Sequence, residues 1–416
     1  MSDLTAESAR PGTGLDTPVL ARLSTLDRFL PVWIVAAMGL GIAAGRVLPE
    51  LNDALDAVQI GSVSLPIAVG LLAMMYPVLA KVRYAELGTV TGDRRLLLAS
   101  LVLNWLVGPA LMFALAWLLL PDEPAYRTGL IIVGLARCIA MVPIWNELSG
   151  GDREAAAVLV AINSVFQIVA FAALGYFYLE VLPGWLGLSE ASLEVSVWGI
   201  AKSVLVFLGI PLLAGYHTRT LAERARGRTW YETRLLPRIA PLALYGLLFT
   251  IVVLFALQGD TITREPLAVA RIALPLLAYF MLMFVGSFLL GHRLGLGYPR
   301  TATLAFTAAG NNFELAIAVA IGVFGVTSGQ ALAGVVGPLI EVPVLVALVY
   351  VALWARRRCC PEPVAHLEES PCRTSRPSCS SACTTPVAAR WRPRSCTTGP
   401  TGGATYALPA ALPPTR

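Results

Sequence analysis

Ten apolar runs, each close to the length of a bilayer crossing, leave this chain few ways to fold. They cover residues 29–48, 65–82, 96–120, 128–148, 155–182, 195–216, 239–257, 267–290, 301–323 and 331–353. A helix needs about 20 mostly apolar residues to span the hydrocarbon core. No water reaches the backbone there, so a crossing segment must be a helix or part of a closed barrel. Barrel strands alternate apolar and polar residues over about ten positions, whereas these runs are longer and continuous. Helices are therefore predicted. Charged residues make up 14% of the 416, against about 25% in soluble domains. The expected fold is an all-α polytopic membrane protein of ten transmembrane helices, with the lipid bilayer as its surroundings. No basic face interleaved with aromatics stands clear of the runs, which argues against nucleic acid as a partner.

Lysine and arginine in the connections set the orientation. Lys81, Arg83, Arg94 and Arg95 follow run two, and six arginines from Arg219 to Arg238 follow run six. Arg293 and Arg300 follow run eight, and Arg356, Arg357 and Arg358 follow run ten. The alternate connections are acidic or uncharged, with Glu50, Asp53 and Asp56 after run one and Glu180, Glu190 and Glu194 after run five. Both termini are thus expected in the cytoplasm, with the protein in the plasma (inner) membrane. Residues 1–28 are polar, without a cleavable apolar core, and read as a cytosolic tail. Residues 29–355 form the ten-span domain, and residues 356–416 a low-complexity cytosolic tail. Of the seven cysteines six lie in that tail, so Cys138 stands alone among the runs and no disulfide framework holds them.

Ten spans divide into two sets of five. An odd-numbered repeat enters the membrane in opposite senses, so the halves would be inverted, with broken helices in spans four and nine. Run four holds Pro143, and run nine holds Gly310-Asn311-Asn312. Pro143 lacks an amide donor and would clash with the Ile139 carbonyl, which places the expected break about one turn after Cys138. On a continuous helix Arg137 and Cys138 would point about 100° apart. In run nine Asn311 or Asn312 would cap a new helix and put Glu314 in its first turn. The positive helix end favours the carboxylate there and burial favours the acid, a balance suited to taking and releasing a proton.

Ionisable groups inside apolar runs are functional-site candidates. Arg137, Cys138, Asn146 and Asn312 are the candidate substrate contacts, and Glu314 and Glu341 the candidate proton carriers. Each has a plainer alternative. A lone membrane cysteine packs as a small apolar residue. Asn311 and Glu314 have the spacing of a capping box. Pro143 alone makes a kink. Asn104, Asn163, Gln167 and Lys202 read as glue between helices, and Met74-Met75-Tyr76-Pro77 as packing. No cofactor is called for, and no resident metal.

The segments GLARCIAMV, IWNELSGGDREAAAVLVAINSVFQ and GNNFELAIAVAIGVFG resemble the arsenical-resistance protein three family of arsenite efflux permeases. MMYPVLAKVRY, LNWLVGPALM and AKSVLVFLGIPLLAG match it as well, and the resemblance covers residues 26–353. The family is grouped with the bile-acid/arsenite/riboflavin transporters, whose ten spans cross at broken helices four and nine. The resemblance implies export of trivalent arsenite, with antimonite in some members, in exchange for protons. It places the family's essential cysteine at Cys138 and its essential acid at Glu314. The family pattern has an aliphatic residue where this chain has Pro143. Two rivals remain: a sodium-coupled organic-anion symporter of the same superfamily, and a thiol-dependent membrane redox sensor or enzyme at Cys138. The latter lacks a resolving cysteine or a histidine base nearby, since His217 and His292 lie at the edges of runs.

The tail segment SCSSACTTPVAA, residues 378–389, allows codons which one base out of phase read Val-Leu-Phe-Val-Cys-Val-His-Asn-Ala-Gly-Arg-Ser. That string is similar to the phosphate-cradle loop of low-molecular-weight-phosphatase-like arsenate reductases. It implies a frameshifted remnant, or a frameshift error, of a fused reductase domain, inactive in the present frame.

Overall fold

A computed structural model describes residues 30–47, 59–60, 63–82, 93–139, 141–188, 196–264 and 266–359. The N-terminal tail and residues 360–416, the reductase-remnant reading with them, lie outside the described residues; residues 356–359, expected as the start of the C-terminal tail, instead continue the last helix. Twelve helical elements organise the described residues. They are α1 (Leu30–Val47), α2 (Leu65–Ala80), α3 (Arg94–Leu119), α4 (Pro124–Leu135), α5 (Val142–Ser149) and α6 (Arg153–Trp185). After these come α7 (Val197–Arg226), α8 (Pro241–Arg264), α9 (Pro266–Arg293), α10 (Gly297–Ala309), α11 (Phe313–Phe324) and α12 (Gly329–Cys359). Short helical turns at residues 228–239 lead into α8. A minimal hairpin, Gln59–Ile60 against Val63–Ser64, is the one strand pair outside the helices among the described residues. Among the described residues six helical stretches are long and apolar enough to cross a membrane by length and composition, and α1, α2 and α11 add shorter apolar helices. The chain is a multi-pass membrane protein.

Among the described residues four π-helical turns occur, at Leu103–Val107 in α3, Phe177–Val181 in α6, Leu205–Gly209 in α7 and Tyr231–Leu235 in the turns before α8. Each is followed two residues later by a proline: Pro109, Pro183, Pro211 and Pro237. A proline ring clashes with the carbonyl four residues back and offers it no amide. Widening that turn to the π spacing moves the carbonyl aside and lets the helix continue.

The helices pack in two groups. α1, α2 and α8 pack together with the second half of α7. α3, α4, α6, α9, α10, α11 and α12 form the other group, and the first half of α7 packs on α6 and α11. Glycines set the closest approaches within each. A Cβ at Gly41 or Gly45 of α1 would lie 2.5 or 2.3 Å from the carbonyl oxygens of Val252 or Ala256 on α8. A Cβ at Gly129 of α4 would lie 2.6 Å from the Gln330 carbonyl on α12, and one at Gly337 would enter the Phe313 ring of α11 at 1.8 Å.

The basic connections gather at one end. Arg300 bonds Asp93 at 2.9 Å and lies 3.5 Å from Asp152, and the Tyr298 hydroxyl donates to the Ser149 carbonyl. Arg219 donates to the Lys81 carbonyl. At the other end Arg271 bridges Asp122 and Glu123, before α4. Its hydrogen bond to Asp122 holds that carboxyl below the usual carboxylate range.

Candidate functional site

Run four breaks earlier than its proline predicts. α4 ends at Leu135, and residues 136–139 run on non-helically before α5 starts at Val142. Pro143 is not a mid-helix kink after Cys138. It sits in the first turn of α5, where its missing amide would have no helical acceptor and its fixed φ suits the helix. What opens the chain at 136 is the second break, far away in sequence. Arg137 and Asn311 form an antiparallel bridge, the Asn312 amide donates to the Ala136 carbonyl at 3.0 Å, and the Cys138 amide to the Gly310 carbonyl at 3.4 Å. Each break supplies the hydrogen bonds that the other has lost, as non-helical backbone away from water requires.

Extended backbone also alters where the side chains point. Successive residues face opposite sides, not 100° apart as on a helix. Arg137 is fully buried among α3, α4 and α9, on the side away from the thiol. Its guanidinium donates to the Tyr279 hydroxyl at 2.8 Å and to the Gly134 carbonyl, and its backbone amide to Gln167 Oε1. Gly108 makes room for it, since a Cβ there would lie 2.7 Å from Nη1. Cys138 is buried in turn, and a Cβ at Gly310 would stand 3.0 Å from its own Cβ. The amides of Met141 and Val142 reach toward its sulfur, and the carboxyls of Glu314 and Glu341 lie within electrostatic range.

Asn312 caps α11, its Oδ1 accepting from the Leu315 amide at 3.0 Å. The third residue after this cap is Leu315, so Glu314 is not the reciprocal partner of a capping box. Glu341 of α12 accepts the Asn311 amide at 3.2 Å. The structure thus brings Arg137, Cys138, Asn312, Glu314 and Glu341 to one crossing.

Asn146 lies apart from it. On α5, it accepts from the Thr303 hydroxyl at 2.7 Å and donates to the Asp152 carbonyl. Gly151 allows this approach, since a Cβ there would lie 2.0 Å from Asn146 Oδ1. The sequence did not single out Tyr279 or Thr303. A buried tyrosine hydroxyl in an apolar run is the signal for Tyr279; Thr303 carries none. Asn163 does tie helices, accepting from Trp105 of α3, while Gln167 ties α6 to the break by accepting the Arg137 amide. Asn104 instead bonds Ser100 of its own helix, and Lys202 lies over Trp198 of its own helix.

A cavity of about 400 Å³ opens at the basic end between α2 and α5–α6, with Lys81, Asn146, Glu147 and Arg153 on its wall. Val78 and Ile139 also line it, and both line a second, smaller space with Met74, Met75, Asn312 and Glu314. The walls of these spaces include Ile139 and not Cys138.

The sequence pattern of the Sodium Bile acid symporter family matches residues 68–265. The chain is 60% identical to Arsenical-resistance protein Acr3 of Corynebacterium glutamicum over 334 residues, 80% of this chain and 90% of that protein. It is 31% identical to Arsenical-resistance protein Acr3 of Alkaliphilus metalliredigens, over 78% of this chain and 92% of that one. An uncharacterized transporter of Synechocystis is 36% identical over 80% of this chain and 91% of its own. The chain belongs to the Acr3 family of arsenical-resistance proteins and is a transporter, not an enzyme.

Proposed function

We propose that the protein exports arsenite across the plasma membrane by exchange for protons, with ten spans in two inverted halves and both termini in the cytoplasm. Residues 1–28 and 360–416 would be tails on the 29–359 carrier. The observation that carries the reading is the crossing itself, where the buried Cys138 of one break is bonded through its amide to Gly310 of the other, which puts half-buried Glu314 in the first turn of α11. Neutral arsenite is a trihydroxy species with a soft arsenic atom. Capture exchanges one hydroxyl for the Cys138 sulfur: the As–O bond and the S–H bond break, As–S forms, and water leaves. One thiol holds arsenic reversibly where several would trap it. The thiol is covered in this state, so capture needs the crossing to shift against α2. The membrane potential does no work on a neutral solute, so uphill export needs a coupled ion. Glu314, which lines the smaller space, is the proposed carrier of that proton, with Glu341 behind it and Asn312 as a substrate contact. Asn146 would shape the mouth of the larger cavity. Antimonite, with the same valence and softness, is a second substrate on this chemistry.

Everted membrane vesicles test this. An imposed proton gradient should drive arsenite accumulation, and Cys138→Ala or Glu314→Gln should reduce it by about tenfold or more, the effect of 1.4 kcal/mol on a rate. Full transport in both variants would end the site assignment. Absence of arsenite transport in the unaltered protein would end the functional reading. Uptake of an organic anion that requires sodium would favour the bile-acid-symporter alternative, which the family match makes the relevant rival.

A further inference from the structure

We infer that Arg137 is a tethered stand-in for a coupling cation: its guanidinium occupies the carbonyl end of half-helix α4, where a free metal cation would bind in a carrier of this architecture, and so frees transport from sodium. The inference rests on the arsenite-carrier reading and assigns the ion selectivity of that site to one residue.

In broken-helix carriers the C-terminal ends of half-helices and the unwound carbonyls beyond them coordinate the driving cation. The last carbonyls of a helix lack intrahelical donors and carry the negative end of its dipole. α4 ends in this way at Leu135, deep in the fold. The group that reaches its terminal carbonyls belongs to the chain: Arg137 turns back and donates to Gly134, with the Tyr279 hydroxyl on another nitrogen. Its side chain is completely buried, and among the described residues no carboxylate lies within ion-pair distance. The cation is therefore held by carbonyl, hydroxyl and helix dipole, the kind of oxygen-rich setting that a bound alkali cation uses. A guanidinium does not lose its proton in a protein, so this end of α4 is always loaded. A second cation would meet both the charge and the occupied oxygens. Buried cations are costly in such a setting and need a reason. Gly108 is part of that provision, since any side chain there would overlap the guanidinium. The second break carries no equivalent, because the residue paired with Arg137 is the neutral Asn311. The ion that moves must then be one that a carboxyl can take and release.

The test uses the full-length protein in everted vesicles. Proton-driven arsenite accumulation is measured in choline and in sodium medium, with and without guanidinium. The unaltered protein and Arg137→Lys should transport equally in both media. Arg137→Gln, checked for folding by its elution in detergent, should lose about tenfold or more in choline and regain transport with guanidinium or sodium. A sodium requirement in the unaltered protein or in Arg137→Lys overturns the inference. So does a folded Arg137→Gln that transports normally in choline, or that neither cation restores. If Arg137→Gln does not fold, the sodium response of Arg137→Lys decides alone. Sodium-dependent arsenite transport refutes the tethered cation and leaves an arsenite carrier standing. Failure to move arsenite in every medium refutes the carrier reading itself.

Discussion

At the first break the chain leaves α4 at Leu135 and re-enters a helix at Val142, with an arginine and a cysteine between. At the second it leaves α10 at Ala309 and re-enters at Phe313, with a glycine and two asparagines between. The two are held to each other by the same backbone bonds, yet their side chains do opposite things. Arg137 fastens its break to α4 and α9. Neither side-chain amide atom of Asn311 makes a hydrogen bond, although the residue is buried. α11 has a side-chain cap from Asn312, while α5 has Met141 at its cap position without one and with the Cys138 sulfur near its first amides. One break is closed by its own chemistry, and the other keeps hydrogen-bonding capacity open beside an acid.

The contrast can be broken at its point of contact. Gly310→Ala places a Cβ 3.0 Å from the Cys138 Cβ. It should destabilise the protein by about 1–3 kcal/mol, as overpacking does, and reduce transport with it. A melting temperature equal to that of the unaltered protein would mean that the breaks are not in register as described. Asn312→Ala removes the one side-chain cap at the crossing and should cost about 1 kcal/mol, read from chemical denaturation in detergent. Equal stability would make the two helix starts alike. Pro143→Ala should change stability by less than about 0.5 kcal/mol, because a first-turn proline blocks no helical bond. A large loss would restore the kinked-helix picture.

The smallest effect belongs to the far end. Asp122 is held below the usual carboxylate range by Arg271. A depressed carboxyl stabilises the fold above its ordinary pKa and loses that contribution as pH falls through the folded value. Asp122→Asn should therefore flatten the acid side of a melting-temperature profile, by less than any substitution at the crossing.

Much of this architecture is legible in the sequence because bilayer physics demands long apolar runs. Every one of the ten runs falls on a helix or on a pair of helices separated by a break. Glu314 in a first turn after an asparagine cap was legible for the same local reason. The start of the first break was not. Pro143 suggests a fault after Cys138, but the cause of the opening at Ala136 is pairing with residues 310–312. Local propensity carries no trace of that partner. The π turns had a local signal in their prolines, but a proline in an apolar run says only that the helix must adapt. Arg137 shows a further limit: sequence marks a charge in an apolar run, while its facing away from the thiol follows from an extended backbone.

The glycine contacts divide the molecule mechanically. Where Gly41 and Gly45 lay α1 on α8, or Gly129 lays α4 on α12, backbone approaches backbone directly, and at Gly337 the flat Phe313 ring of α11 lies against the α12 backbone. Such seams part only by separating whole helices, so each group behaves as a plate. Among the described residues no glycine draws α2 against α5 or α6 in this way. Aliphatic side chains such as Val78, Ile139 and Val160 meet there around the cavity instead. A surface of that kind works as a sliding bearing, since dispersion contacts have no preferred direction and re-form one methyl group further along.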